Sequence, residues 1–516
     1  MPLAAELVQR GAQRFPARTA VVFEGRSLTY REVEEAANRF AGVLAGRGLR
    51  KGDRVALLAG NELWSIPLDF ACLKAGLVRV PLNPRLSLRE HRQMLAETGA
   101  CLMVHTPELG ERADRLRVDL PGLAMLGLGA RGADGGPDLL LEAAELRPDP
   151  PEVALAPSDP VLLLYTSGTT GTLKAVTHTQ GSYGAIAVNI LANLLSPARD
   201  SVMLHAASLI HASGTFVLPY WLRGGTAALL RSFEPATFLD AIERHRATEV
   251  NLVPTMLGML LGVAGESRAE LSSLRRVIYG ASPMPRPVIS EAIERWGPIF
   301  RQYYGQTEAP LCISVLDEAD HDDPDLLASC GHPAVDAEVR LVADDGSEPA
   351  AGEVGEIQVR APFQMAGYHR ADALNAEMLT NDGWVRTRDL ARRDERGYLF
   401  LVDRRSDMIV TGGYNVYPKE VEDALLTHPA VAECAVVGAP DPTWVEAVVA
   451  FVALRPGTHA TEAELQAAVR ARLAGYKVPK RVELVEGIPK SPVGKILRRA
   501  LREPLWAGEP SRERWP

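Results

Sequence analysis

From Leu28 onward the chain alternates between two patterns. Stretches with apolar residues at helical spacing (LTYREVEEAANRFAGVLAGRG, LWSIPLDFACLKAG, SLREHRQMLAETG) are separated by short apolar runs (RVALLAG, LVRVPLN, CLMVH). Strands separated by helices can join one sheet only through crossover connections, so this alternation predicts parallel sheet packed between helices. It resumes beyond residue 200 with SVMLHAA, TAALL, TEVNLVP, RRVIYGA and IFRQYYG as short strands. The large region therefore reads as α/β.

At 516 residues the chain exceeds one ordinary core, so at least two domains are expected. Near residue 405 the pattern changes. YLFLVDRRSDMIVTGGYNVYPKEVEDALL reads as strand, turn, strand, Gly-rich turn and a helix opening near Pro418, where proline suits a first turn. VAECAVVGA, EAVVAFVAL, helical TEAELQAAVRARLAG, RVELV and a last basic helix from Ile496 complete an α+β unit of about 110 residues. The expected division is 1–404, a large N-terminal domain of α/β layers with parallel-rich sheets, and 405–516, a small α+β domain.

Composition narrows the function classes. A net charge of -9 argues against wholesale nucleic-acid binding, so any phosphate must be met locally. The five cysteines form no C-x-x-C pair and signal neither zinc nor a disulfide framework, which suits a reducing cytoplasm. The N-terminal stretch carries Glu6 and three arginines by Arg18 and lacks a signal-peptide core, and no uncharged apolar run approaches a membrane span. GLGARG at 127–132 matches G-x-G-x-x-G, but turn material follows it where a dinucleotide site needs a helix. The acidic run DEADHDDPD at 317–325 lacks the glycine and glutamate of a calcium loop and reads as solvated.

One loop asks for an anion. In YTSGTTGTLKAV, Thr166, Ser167, Gly168, Thr169, Thr170 and Gly171 supply hydroxyls and free backbone N–H groups, and Lys174 adds a positive charge. The spacing is not that of a P-loop NTPase. After it, in order, come YGQTE (304–308), GWVRTRDL (383–390), DRRSDMIVTGGYNVYPKEVE (403–422) and PKSPVGKILRR (489–499). This series resembles the adenylate-forming superfamily of acyl-CoA synthetases, luciferases and nonribosomal adenylation domains, and is nearest to acyl-CoA synthetases; the resemblance covers nearly the whole chain.

The resemblance implies ATP, Mg2+ and coenzyme A as co-substrates and cofactors, a carboxylate attacking the α-phosphorus, and thiol attack on the resulting acyl-adenylate. The Thr/Ser/Gly loop would hold the β- and γ-phosphates. Adenine would lie beside Tyr304 and the turn Gly280, Ala281, Ser282. Thr307 would donate to the α-phosphate, Glu308 would anchor the metal, and Asp389 with Arg404 would clamp the ribose. Lys495, in a mobile lid formed by the small domain, would bridge carboxylate and phosphate during adenylation. The lid would hinge at Ser406. Pantetheine would pass Gly412 and Gly413, and Trp444 would stack the CoA adenine or serve as a core residue of the small domain.

HAASLIHASGTF at 205–216 resembles the acyl-pocket segment, with His211 as gate or structural histidine and Gly280 on the pocket wall. The segment SLIHASG carries no acid to pair an ammonium, so a hydrophobic acid that is not an amino acid is expected. Three positions depart from the pattern: Leu173 replaces a proline, Arg388 a glycine, and Ser406 an Asp or Lys. The reading is thus an AMP-forming acid–thiol ligase, with a small-molecule carboxylate, ATP and CoA as partners and monomer against homodimer left open. The rivals are transfer to a carrier-protein thiol and a non-catalytic acyl-nucleotide binder.

Overall fold

A computed structural model describes residues 2–129, 136–167, 173–210, 212–265, 268–411, 414–441, 443–491 and 496–507. Among the described residues the strands form four sheets. A nine-stranded sheet is parallel through its centre, where Phe300–Tyr304, Arg276–Gly280, Glu249–Leu252, Val202–His205, Thr226–Leu229 and Thr19–Phe23 lie side by side. A seven-stranded sheet is parallel across Pro160–Ser167, Val78–Pro81, Arg54–Leu58, Leu102–His105 and Ala124–Gly127. A four-stranded antiparallel sheet and the sheet of the C-terminal region complete the set.

The alternation fixed these layers locally. The helices Tyr30–Gly46 and Leu88–Thr98 open on capping boxes, Thr29 with Glu32 and Ser87 with Glu90, which satisfy the orphan donors of the first turn. The helices Ser65–Ala75 and Leu88–Thr98 end on Gly76 and Gly99 in left-handed conformation. Of the match to G-x-G-x-x-G at 127–132, residues 130–132 lie outside the described residues; the first described helix after it is Leu139–Ala144, capped by Asp138.

Two expectations change. The acidic run is anchored: His321 is buried, its Nε2 meets Tyr279 Oη at 2.8 Å and its Nδ1 meets the Asp317 carbonyl at 2.7 Å, so the segment folds into a short 3-10 turn, Ala319–Asp322. The last helix runs Arg498–Arg502, because Ile496 instead bridges Lys490 in extended conformation. Between Arg404, the last residue of a strand in the four-stranded sheet, and Ile409, the first of a strand in the C-terminal sheet, the chain passes from one sheet to the other.

Candidate active site

The strands Pro160–Ser167 and Leu173–Thr179 pair antiparallel, with Thr166 opposite Lys174. They deliver the two ends of the Thr/Ser/Gly loop; Gly168, Thr169, Thr170 and Gly171 lie outside the described residues, as does the side chain of Ser167. Lys174 is half-buried. His178, farther along the same strand and facing the same side, is buried, with its Nε2 2.8 Å from the Thr307 carbonyl and its Nδ1 3.4 Å from Ser182 Oγ. A carbonyl only accepts, so Nε2 carries the proton and Nδ1 accepts from the Ser182 hydroxyl. Burial pushes the His178 pKa down to about 4, with Arg79 adding to the shift against the opposing hydrogen bond to Thr307, so the ring is neutral at pH 7. Nothing in the motif spacing marks this residue; an apolar strand carrying a histidine was the available signal.

The segment after Phe300–Tyr304 is held from a second side. Gly305 passes so close to Leu311 that a Cβ would stand 2.5 Å from its carbonyl oxygen, a turn that admits only glycine. The Tyr368 hydroxyl donates to Glu308 Oε1 at 2.6 Å, and the Met365 N–H donates to the Glu308 carbonyl at 2.7 Å. Tyr368 itself pairs with Val176 of the strand that carries Lys174. Thr307 and Glu308 are therefore both tied to the strand that carries Lys174.

Asp389 and Arg404 are cross-strand partners, and Arg404 Nε lies 3.3 Å from Asp389 Oδ1. The other carboxylate oxygen accepts from the Tyr304 hydroxyl at 2.8 Å and from the Gln306 amide. Asp389 is thus held by three donors, one of them the expected adenine neighbour Tyr304. Burial and then the adjacent Asp389 raise the Tyr304 pKa far above the ordinary phenol range. Gln306 also donates to the Thr387 carbonyl at 2.8 Å, which makes it a strut between the two segments that the sequence reading missed.

Arg388 adopts φ +58°, the conformation a glycine would take without strain. Its N–H donates to Glu356 Oε1 at 3.1 Å, its carbonyl accepts from the Arg405 N–H at 2.9 Å, and its guanidinium pairs with Glu377. The side chain is directed away while the backbone keeps the glycine geometry. In the turn Gly280–Ala281–Ser282, a Cβ on Gly280 would stand 2.4 Å from the Tyr303 carbonyl oxygen, Ala281 has φ +67°, and Ser282 is half-buried.

Where the sheets change, charges gather. Arg498 grips Glu422 with bonds of 2.7 and 3.1 Å and lies 3.7 Å from Asp407. Asp403 accepts from the Arg404 and Lys419 N–H groups at 2.7 and 3.0 Å. Desolvation pushes its carboxyl up to about 7, against Arg498 and with help from Glu422 and Asp407. Ser406, between these groups, accepts from Arg502 through its carbonyl at 3.2 Å. Gly412, Gly413, His211 and Lys495 lie outside the described residues. Trp444 is exposed, with Lys480 Nζ 4.9 Å from its ring centroid, so it is not a core residue. Among the described residues no cluster of acids, histidines and cysteines forms a metal cage, and no helix is long and apolar enough to cross a membrane.

The hairpin that carries Lys174, the Thr307–Glu308 segment tied to it and the Asp389–Arg404 pair bonded to Tyr304 and Gln306 are thus brought together. The model described as AMP-binding enzyme matches residues 8–369, and that described as AMP-binding enzyme C-terminal domain matches 420–495. The chain belongs to the AMP-binding enzyme family, within the adenylate-forming superfamily and near its acyl-CoA synthetases. A feruloyl-CoA synthase from Amycolatopsis sp is 40% identical over 495 residues, 96% of this chain and 97% of its own. The medium/long-chain-fatty-acid–CoA ligase FadD8 of Mycobacterium tuberculosis is 38% identical over 513 residues, 96% of this chain and 89% of its own. The structure of amide bond synthetase McbA from Marinactinospora thermotolerans matches with TM-score 0.89 at 33% identity, over 96% of this chain and 99% of that one.

Proposed function

We propose that this chain is an AMP-forming acid–thiol ligase: it adenylates a hydrophobic carboxylic acid with ATP and passes the acyl group to coenzyme A. The observation that carries the reading is that the segment Tyr304–Glu308 is tied at Thr307 and Glu308 to the hairpin that bears Lys174, and at Tyr304 and Gln306 to Asp389, the partner of Arg404.

In this reading Lys174 and the hydroxyls of its loop neutralise the terminal phosphates. Thr307 donates to the α-phosphate as charge gathers there, and its backbone is kept in place by His178. Glu308 keeps one carboxylate oxygen beyond its bond to Tyr368, which fits it to hold Mg2+, an ion that would supply charge neutralisation at the phosphates. Asp389, oriented by three donors, accepts from the ribose hydroxyls beside Arg404. Lys495 bridges carboxylate and phosphate oxygens while the acid attacks in line and pyrophosphate leaves. The small domain, residues 405–516, then turns about Ser406 to admit the thiol past Gly412 and Gly413, with the exposed Trp444 offered to the CoA adenine. The sheet change between Arg404 and Ile409 supports that division. Largely buried free cysteines suit the cytoplasm.

The test is pyrophosphate release across a panel of carboxylic acids, followed by thioester formation with free CoA and with a pantetheinylated carrier protein. Acid-dependent release with CoA thioester as product is the expected result. Thioester on the carrier alone would move the acceptor, and no acid-dependent release would leave a non-catalytic binder.

A further inference from the structure

A cluster of arginines lies away from the residues described above. The helix Ala4–Arg14, the helix Val217–Arg223 and the segment 197–200 meet around a surface cavity of about 180 Å³ lined by Arg14, Phe15, Pro197, Ala198, Arg199 and Arg223. The segment 197–200 leads into the strand Val202–His205, and Gly224 and Gly225 lead into its parallel neighbour Thr226–Leu229, so the cavity sits at the amino ends of those strands. Thr307 and Glu308 follow the carboxyl end of Phe300–Tyr304, which runs the same way in the same sheet. The cavity and the candidate active site therefore occupy opposite rims of the nine-stranded sheet.

Phe15, buried, forms the floor. A Cβ on Gly224 would stand 2.9 Å from the Phe15 ring, so the glycine that closes the helix Val217–Arg223, at φ +83°, also admits that ring. Arg14 and Arg199 both lie over it, with Cζ 5.2 and 5.8 Å from the ring centroid. Two more arginines hold the walls: Arg18 donates from Nε to the Gly224 carbonyl at 2.7 Å and from a terminal nitrogen to the Arg199 carbonyl, and Arg223 Nε donates to the Pro197 carbonyl at 3.4 Å. The two pairs differ in what they have left. Arg14 and Arg199 are exposed, and among the described residues neither guanidinium donates a hydrogen bond, so both forks are free.

Four guanidiniums gather here without a carboxylate. Asp200, next in the chain to Arg199, bonds to Arg275 at 2.7 Å, Glu6 bonds to Arg10 at 3.2 Å, and none of the four arginines is in an ion pair among the described residues. The two helix ends offer at most about half a negative charge each, which leaves most of the four positive charges uncompensated. Sharing one ring also sets the like charges of Arg14 and Arg199 against each other. In a chain of net charge -9 this cluster is a local exception, and an anion from solution relieves it.

Size and geometry narrow the anion. The cavity is smaller than the roughly 300–1,000 Å³ of sites that enclose drug-sized ligands, so it admits a small oxyanion and not a whole nucleotide. A planar guanidinium grips phosphate oxygens two at a time, and two free forks are best used together by an anion that carries oxygens on two phosphorus atoms. We propose that this cavity binds a small, multiply charged phosphate anion, pyrophosphate in preference to phosphate, through Arg14 and Arg199, with Arg18 and Arg223 holding its walls. The inference stands apart from the ligase reading, in which pyrophosphate is the product of the other site.

Isothermal titration calorimetry with magnesium-free pyrophosphate, phosphate and sulfate at equal, low ionic strength tests it on the full-length wild type, Arg14→Gln, Arg199→Gln and Lys174→Gln. Since neither Arg14 nor Arg199 bonds to the fold, both variants should melt as the wild type does. The expected result is a pyrophosphate-binding event that Lys174→Gln leaves in place, that each arginine substitution weakens by about tenfold or more, and that phosphate reproduces only weakly. Absence of binding in Lys174→Gln overturns the proposal, as does an affinity that both arginine variants keep. Sulfate held as tightly as pyrophosphate overturns it too, because bare charge would then be all that is read. Failure of acid-dependent pyrophosphate release with this binding event intact would remove the ligase reading alone.

Discussion

The nucleotide end of the site and the junction near Ser406 are both built from buried polar groups, but of opposite kinds. At the nucleotide end a single ion pair, Arg404 with Asp389, is outnumbered by neutral struts: a histidine ring on the Thr307 carbonyl, a phenol on Glu308, an amide on Asp389. At the junction they are charges: Asp403, Asp407 and Glu422 gathered about Arg498. Neutral hydrogen bonds hold one geometry through moderate changes of pH and salt, whereas a crowded set of carboxylates changes its energy with each proton. In the ligase proposed above, a site that stays in register with a phosphate would be served by the first kind, and a joint that turns by the second.

The largest test of this contrast acts from the lid on the nucleotide end. Lys495→Ala is expected to lower adenylation by about a thousandfold or more, since a charge acting mainly in the transition state is lost. Thioester formation from supplied acyl-adenylate should be largely retained. Single-turnover kinetics of each half-reaction decides, and an equal loss in both would make Lys495 structural.

Breaking a neutral strut should do less. His178→Ala leaves the Thr307 carbonyl without its donor and should reduce adenylation about ten- to a hundredfold, mainly in kcat, from a loss of roughly 1–3 kcal/mol. His178→Gln, which can present an N–H at a similar reach, should recover much of it. Full activity in His178→Ala would dissolve the comparison at its nucleotide end.

Arg388 stands between the two regions. Arg388→Gly relieves a left-handed arginine, about 1 kcal/mol, but gives up the pair with Glu377. Adenylation should change by less than about tenfold, and transfer to the thiol should change more. Faster transfer to CoA would mark Arg388 as an obstruction; slower transfer would mark it as an acceptor contact. Abolished adenylation with transfer spared would assign it to the nucleotide site.

The smallest effect sharpens the contrast through pH. Asp403 has its folded pKa raised to about 7, so the carboxyl favours the fold below its unfolded pKa, and that contribution fades as pH rises from about 4 through 7. His178, lowered to about 4, runs the other way: its contribution is present above about 6.5 and fades as pH falls toward 4. Asp403→Asn should therefore flatten the decline of thermal stability between pH 5 and 8 while leaving the acid limb in place. An unchanged alkaline limb in Asp403→Asn would show that the junction does not titrate there.

What the sequence determined by itself was local or ordered along the chain. Apolar spacing with Thr29 and Ser87 as caps set the helices they open, and the succession of YTSGTTGTLK, YGQTE, RTRDL and PVGK marked the family, because caps act within one turn and motifs are contiguous. The departure at Arg388 was visible too, although the left-handed backbone that arginine retains was not. Tertiary structure alone decided that His178 braces Thr307 and that Tyr304 spends its hydroxyl on Asp389. Those partners lie far apart in the chain and meet only where separate sheets pack together, which no spacing in the sequence records.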